Sequence, residues 1–298
     1  MTALRTEGLT KRYRRTVAVD GLDLEAAGGE VFGFVGANGA GKTTTIRMLV
    51  GLVRPTSGRA TVLGRDVTSA AVRAEVGYVP GDPGLYPRLT ARETLAYLAR
   101  LRGGVPVRDV EAFVDRLGLD PTRRVGELSR GNRQKVALVQ AFMHRPRVLL
   151  LDEPTSGLDP LVQREFRLMV REAAADGALV FLSSHDLDEV QRLADRAAVI
   201  ARGRVVAVED VPELERRAQR HVEVVFAGDV PAGLLAGVPG VGDVTIDGRV
   251  VGCTVAGPPG PLLRALGELD VVSLTSRAPD LEDVFLRDYR QEDERVPA

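Results

Sequence analysis

Val31-Phe32-Gly33-Phe34-Val35 runs into Gly36-Ala37-Asn38-Gly39-Ala40-Gly41-Lys42-Thr43-Thr44, which opens onto Ile46-Arg47-Met48-Leu49-Val50. The order is apolar strand, glycine-rich loop, helix, and Gly36, Gly41, Lys42 and Thr43 match G-x-x-x-x-G-K-[ST]. Glycines here permit backbone conformations closed to residues with a Cβ, so successive N–H groups turn inward around phosphate oxygens. The following helix directs its positive end at the same anion. Lys42 supplies a compact charge for the β- and γ-phosphates, and the Thr43 hydroxyl is a candidate Mg²⁺ ligand. A glycine turn that merely joins a strand to a helix would not require this set together. The stretch reads as a nucleoside-triphosphate site on an α/β core.

The rest of the composition sets bounds. A chain of 298 residues suffices for one large domain or two smaller ones. Its formal net charge of −1 gives no basic surface of the kind nucleic acid requires, so no nucleic-acid partner is expected. Cys253 is the sole cysteine, which excludes an internal disulfide. Lysine occurs only at 11, 42 and 135, so a chain that otherwise uses arginine keeps one lysine inside its phosphate loop. No apolar run approaches the ~20 residues that span a bilayer, and the N-terminal residues lack a signal-type apolar stretch. A cytoplasmic location is expected, with any membrane role left to partner chains.

Working outward, residues 2–9 and 16–24 alternate as two strands of an antiparallel β edge, joined by a basic turn, Lys11 to Arg15, that contains Tyr13. Beyond the loop helix come a strand at Arg59–Leu63, a short helix and a strand at Val76–Val79. Thr90-Ala91-Arg92-Glu93 is a capping box, and three helices follow, so that 84–145 reads as a helical insertion in the α/β core. The core resumes at Arg147–Leu151, a buried strand that delivers Asp152 and Glu153 to its carboxyl end, where α/β sites form. Asp152 suits Mg²⁺, and Glu153 suits the attacking water. Ser156-Gly157-Leu158-Asp159 lies just beyond, Leu128-Ser129-Arg130-Gly131-Asn132 begins a helix, and His185 closes a later strand.

Residues 219–298 change character. Strand, helix (Pro231–Ala236), strand, strand, helix, strand suits a small ferredoxin-like α+β unit. A last amphipathic helix is predicted over Asp280–Tyr289. The boundary is set near Ala218, giving an ATP-binding domain over 1–218 and an accessory domain over 219–298.

With these motifs in this order, the chain resembles the ATP-binding subunits of ABC transporters over residues 2 to about 218. The resemblance implies a P-loop NTPase core in which Gly36, Ala37, Asn38, Gly39, Ala40, Gly41, Lys42, Thr43 and Thr44 cradle ATP. It implies Walker B residues Asp152 and Glu153, a D-loop ending at Asp159, a switch histidine at His185 and an adenine-stacking Tyr13. LSRGN becomes the family signature, whose Ser129 and Gly131 cap the γ-phosphate held by a second copy, so that a homodimer sandwiches two ATP. The partner implied is a separately encoded integral membrane permease that the helical insertion faces from the cytoplasmic side. LSRGN with Arg133-Gln134-Lys135, GYVPGDPGLY and PDLEDVF resemble the branch that serves exporters of drugs, lipids or polysaccharides.

Two departures stand out. The signature is usually LSGGQ, and Arg130 and Asn132 replace its first Gly and its Gln. The loop after Val76–Val79 usually carries a Gln where this chain has Gly81, and the neighbouring Asp82 is the candidate replacement at the metal. Two other readings stay open. One is a soluble ABC-type ATPase not coupled to transport, although heptad insertions and a second phosphate loop are absent. The other is an ATP-sensing regulatory module, against which Glu153 and His185 argue.

Overall fold

Alternating side chains make β1 (Thr2–Tyr13) and β2 (Thr16–Ala27) an antiparallel pair. The pair runs further than the sequence pattern predicts, so the connection shrinks to Arg14-Arg15. Tyr13 ends a strand opposite Thr16 and is not a turn residue. This computed structural model describes residues 1–217, 220–231, 233–267 and 269–277.

β3 (Val31–Val35) leads to α1 (Lys42–Leu49), β4 (Ser57–Val62), β5 (Arg65–Asp66), α2 (Ala70–Ala74) and β6 (Val76–Val79). The insertion holds α3 (Ala91–Leu101), α4 (Val107–Arg116) and α5 (Arg130–Phe142). The core then continues with β7 (Val148–Asp152), α6 (Pro160–Ala175), β8 (Leu179–Ser184), α7 (Leu187–Leu193), β9 (Arg196–Ala201) and β10 (Arg204–Asp210).

Two sheets result. The antiparallel one has order β2-β1-β4-β5, and the larger has order β10-β9-β3-β8-β7-β6. β3, β7 and β8 are buried at every position, as strands covered on both faces must be. Phe32 stacks on Phe181 with ring centroids 5.5 Å apart, tying β3 to β8 at the centre of the core. Strand register decides the rest. Val35 pairs with Ser184, and Asp152 with Ser183, all in parallel. Gly36, Glu153 and His185, each one residue past its strand, therefore emerge along one edge of the sheet.

The insertion is pinned to the core by an ion-pair network. Arg116 on α4 meets Glu165 at 2.6 Å and Glu172 at 2.7 Å, both on α6. At the start of α3, Thr90 and Glu93 form the predicted capping box.

The first compact unit is Met1–Val208, ending ahead of the boundary predicted near Ala218. The second begins with α8 (Val211–Arg217) and β11 (Arg220–Phe226), followed by β12 (Val241–Asp247), β13 (Val250–Val255), α9 (Gly260–Leu266) and β14 (Val271–Arg277). Its strands lie in the order β12-β13-β11-β14, every neighbour antiparallel. Where a helix is predicted over Pro231–Ala236, the described residues 233–237 form turns, with Gly233 and Gly237 at φ 82° and 79°. Val222, Val224, Val251, Cys253, Leu262 and Leu266 form the centre of this unit's own core. The helix predicted over Asp280–Tyr289 lies outside the described residues.

Candidate nucleotide site

Between β3 and α1 the chain turns through Gly41 at φ 113°, where a Cβ would lie 2.5 Å from the Ala18 carbonyl. Only glycine fits. Ala37, Asn38 and Gly39 form the exposed lip of the loop, Ala40 is buried, and Thr43 and Thr44 are half-buried in the first turn of α1. Lys42 opens that helix and is only 6 % exposed. Its Nζ donates to the carbonyls of Gly36 at 2.5 Å and Ala37 at 3.3 Å and stands 3.4 Å from Glu153 Oε1. The ammonium is thus held at the mouth of the loop, facing the end of β7.

Asp152, 1 % exposed, is fixed by two hydroxyls. Oδ1 accepts from Thr43 at 3.1 Å and from Ser183 at 2.8 Å. A Cβ on Gly81 would lie 3.3 Å from Asp152 Oδ2, so the loop after β6 passes directly over this carboxylate. Asp82 is exposed and makes no hydrogen bond or ion pair among the described residues. The oxygen donors that converge are Thr43 and Asp152, both hard ligands. Among the described residues no group of three or more His, Cys, Asp or Glu could hold a metal. That donor set fits Mg²⁺ completed by water and phosphate oxygens, the usual way this ion is held.

Glu153 follows with a left-handed backbone, φ 48°, an uncommon conformation for a non-glycine residue. Its N–H donates to the carbonyl of Ser183 at 3.2 Å, which locks the turn. The carboxylate is then aimed two ways: Oε1 toward Lys42, and Oε2 to within 2.6 Å of Nδ1 of His185.

A second patch gathers around Ser156-Gly157. Ser129 caps α5, accepting from the N–H of Asn132 at 3.3 Å. A Cβ on Gly131 would lie 2.4 Å from the Gly157 carbonyl, which requires glycine at 131. Arg130 Nη2 donates to Ser156 Oγ at 2.9 Å, and the buried Gln134 donates to the Pro154 carbonyl at 2.9 Å. Asp159 caps α6, accepting from the N–H groups of Leu161 and Val162. No hydrogen bond or ion pair joins Ser129, Gly131 or Asp159 to the phosphate loop among the described residues. Tyr13 is also apart from it, 46 % exposed with the Lys11 ammonium 5.0 Å from its ring centroid.

Sequence reasoning missed Ser183, Ser184, Gln134 and Glu189. The one local signal was Ser183-Ser184, two hydroxyls ending an otherwise apolar strand. Glu189 lines a cavity of about 130 Å³ with Glu153, Thr155, Ser184 and His185. Burial holds its carboxyl above the usual range, opposed by the hydroxyls of Ser184 and Thr155 and reinforced by Asp186 and Glu153.

A family model described as ABC transporter matches residues 19–156. The bacitracin transport ATP-binding protein BcrA of Bacillus licheniformis is 33 % identical over 298 residues, covering 96 % of this chain and 97 % of that protein. The Nod factor export ATP-binding protein I of Rhizobium sp. (strain N33) is 35 % identical over 296 residues, with 96 % of each chain covered. Among solved structures, an ATP-binding subunit of an ABC transporter superposes with a TM-score of 0.66 at 29 % identity, covering 72 % of this chain and 92 % of that one.

Proposed function

The chain belongs to the ABC transporter ATP-binding proteins, and from that membership we propose that two copies close over two ATP molecules and power efflux through a separately encoded membrane permease. The observation that carries the hydrolytic reading is Glu153, whose carboxylate is held between Lys42 and His185. Efflux rests on the relatives, whose names specify bacitracin transport and Nod factor export. Among the described residues no helix is long and apolar enough to cross a membrane, so attachment to the cytoplasmic face is assigned to the partner.

In this mechanism the N–H groups of 37–44 and the Lys42 ammonium bind the β- and γ-phosphates. Thr43 and Asp152 would hold Mg²⁺, which supplies charge neutralisation on those phosphates. A water aligned with the γ-phosphorus attacks, the bond to the ADP oxygen breaks, and Glu153 accepts the water's proton. His185 orients the Glu153 carboxylate through Oε2. Asp82, next to Gly81, is the candidate second carboxylate at the metal, and Tyr13 the stacking surface for adenine.

Ser129 and Gly131 lie on the second patch, and we assign them to the γ-phosphate of ATP on the opposite copy. A helix N-terminus whose capping hydroxyl can still donate its own proton is suited to an anion. The test is Mg-ATP hydrolysis by the purified chain, followed by sizing of the Glu153→Gln variant with ATP. Hydrolysis with an ATP-dependent dimer supports the reading, and ATP binding without any turnover favours a sensing module. A neighbouring gene for a multi-span membrane protein that co-purifies with this chain would support the transport assignment.

A further inference from the structure

His185 sits inside a closed ring of three hydrogen bonds. The Ser184 hydroxyl donates to Glu189 Oε2 at 2.7 Å. The Glu189 N–H donates to Asp186 Oδ1 at 3.3 Å. The Asp186 N–H donates back to the Ser184 hydroxyl at 3.0 Å. Each residue donates once and accepts once, and the turn they brace is the one that presents His185 to Glu153. The side chain of Glu189 turns into the cavity behind that pair, and its Oε1 is buried with no well-formed hydrogen bond among the described residues, the Thr155 hydroxyl lying nearby. Burying a carboxyl in this way is costly. Capping α7 does not require it, because the Asp186 carboxylate already caps that helix at the N–H groups of Asp188 and Glu189.

We propose that Glu189 is a positioning residue for ATP hydrolysis, fixing His185 against Glu153 by holding Ser184. The proposal rests on the reading of Glu153 and His185 as the hydrolytic pair. Ser184 has one proton to give, and giving it to Glu189 leaves its lone pairs for the Asp186 N–H. That single choice sets the direction in which His185 leaves β8. Without Glu189 the hydroxyl is free to rotate, and the His185 ring loses its fixed approach to Oε2 of Glu153. The phosphate loop meets this ring through the Gly36 N–H on the Ser184 carbonyl, a backbone bond that neither substitution removes, so ATP binding should survive.

The experiment compares Glu189→Ala, Ser184→Ala, the double variant and Glu189→Gln with the unmodified chain in Mg-ATP hydrolysis. Both single variants should lower kcat on the order of tenfold, with KM for ATP nearly unchanged. The double variant should be no slower than either single, because both remove the same constraint. Glu189→Gln should retain most of the rate, since its amide oxygen accepts from Ser184. The ring resonances of His185, identified by their loss in His185→Asn, should shift in Glu189→Ala. Ser184→Ala carries the test if Glu189→Ala does not fold. Wild-type kcat in Ser184→Ala, multiplicative losses in the double variant, or a lowered melting temperature with kcat per folded molecule intact would each overturn the proposal. An unmodified chain that hydrolyses no ATP would instead overturn the reading of the site, and the proposal with it.

Discussion

The Lys42 ammonium and the Glu153 carboxylate stand 3.4 Å apart, although one residue opens helix α1 and the other follows strand β7. Lys42 also donates to the Gly36 and Ala37 carbonyls, so the ammonium is already held by two acceptors and one ion-pair partner. A phosphate oxygen that binds Lys42 must compete with these acceptors, and the one that can swing away is Glu153, leaving its carboxylate to face water and His185. If Glu153 is the base as proposed, nucleotide binding and its activation are thereby linked through one side chain.

Lys42→Ala should abolish ATP turnover and most ATP affinity, because Lys42 is the cation held at the mouth of the loop. Equilibrium binding of a fluorescent ATP analogue, read beside hydrolysis, checks both at once. Near-normal turnover would remove the phosphate-loop assignment.

Glu153→Gln keeps the shape of the side chain and loses the proton acceptor. Hydrolysis should slow by ~10²-fold or more while ATP still binds. In sizing experiments the variant should accumulate as an ATP-bound dimer. A normal rate would show that Glu153 is not the base.

Mixing Lys42→Ala chains with Ser129→Arg chains tests the shared site. Each heterodimer keeps one intact phosphate loop facing one intact signature, so activity per heterodimer should be about half that of the wild-type dimer if each site contributes equally. Heterodimers that form and remain inactive would count against the sandwich.

Gly81 lies over Asp152, and Asp82 follows it exposed and, among the described residues, without a hydrogen-bond partner. If Asp82 swings to the metal as proposed, Asp82→Ala should raise the Mg²⁺ concentration for half-maximal turnover several-fold. Gly81→Gln in that background should partly restore it. An unmoved Mg²⁺ curve would reduce Asp82 to a turn residue before Pro83-Gly84.

His144 supplies a pH dependence. Burial, with the positive charge of Arg102 adding to it, lowers its pKa from 6.5 to about 4. Between those values the unfolded chain binds more protons than the folded one. Its contribution is therefore complete above pH 6.5 and is lost as the pH falls toward 4. Urea midpoints at pH 7 and pH 5 should differ more for the wild type than for His144→Gln, and an equal drop in both would remove His144 as the cause.

Much of the site was legible because its determinants are local. The glycines of the loop are visible in the sequence, and the structure shows why one is needed at Gly41, where φ is 113°. The strands that carry Asp152 and His185 announce themselves as unbroken apolar runs, since a parallel strand is covered on both faces. What the pattern misplaced was marginal: Tyr13 moved from turn to strand end, and residues 233–237 form turns where a helix was expected.

The sequence by itself determined that a phosphate loop, two acidic residues after a buried strand, a signature-like helix start and a histidine-terminated strand are present, in that order. Only the tertiary structure decided their contacts. Lateral register sets Asp152 beside Ser183 and Val35 beside Ser184, and hence brings Lys42, Glu153 and His185 together. Arg130 to Ser156 and Gln134 to Pro154 depend equally on how the insertion folds back onto the core. Such pairings are invisible in a linear chain, because a hydrogen bond acts over about 3 Å of space and carries no trace of the sequence distance it spans.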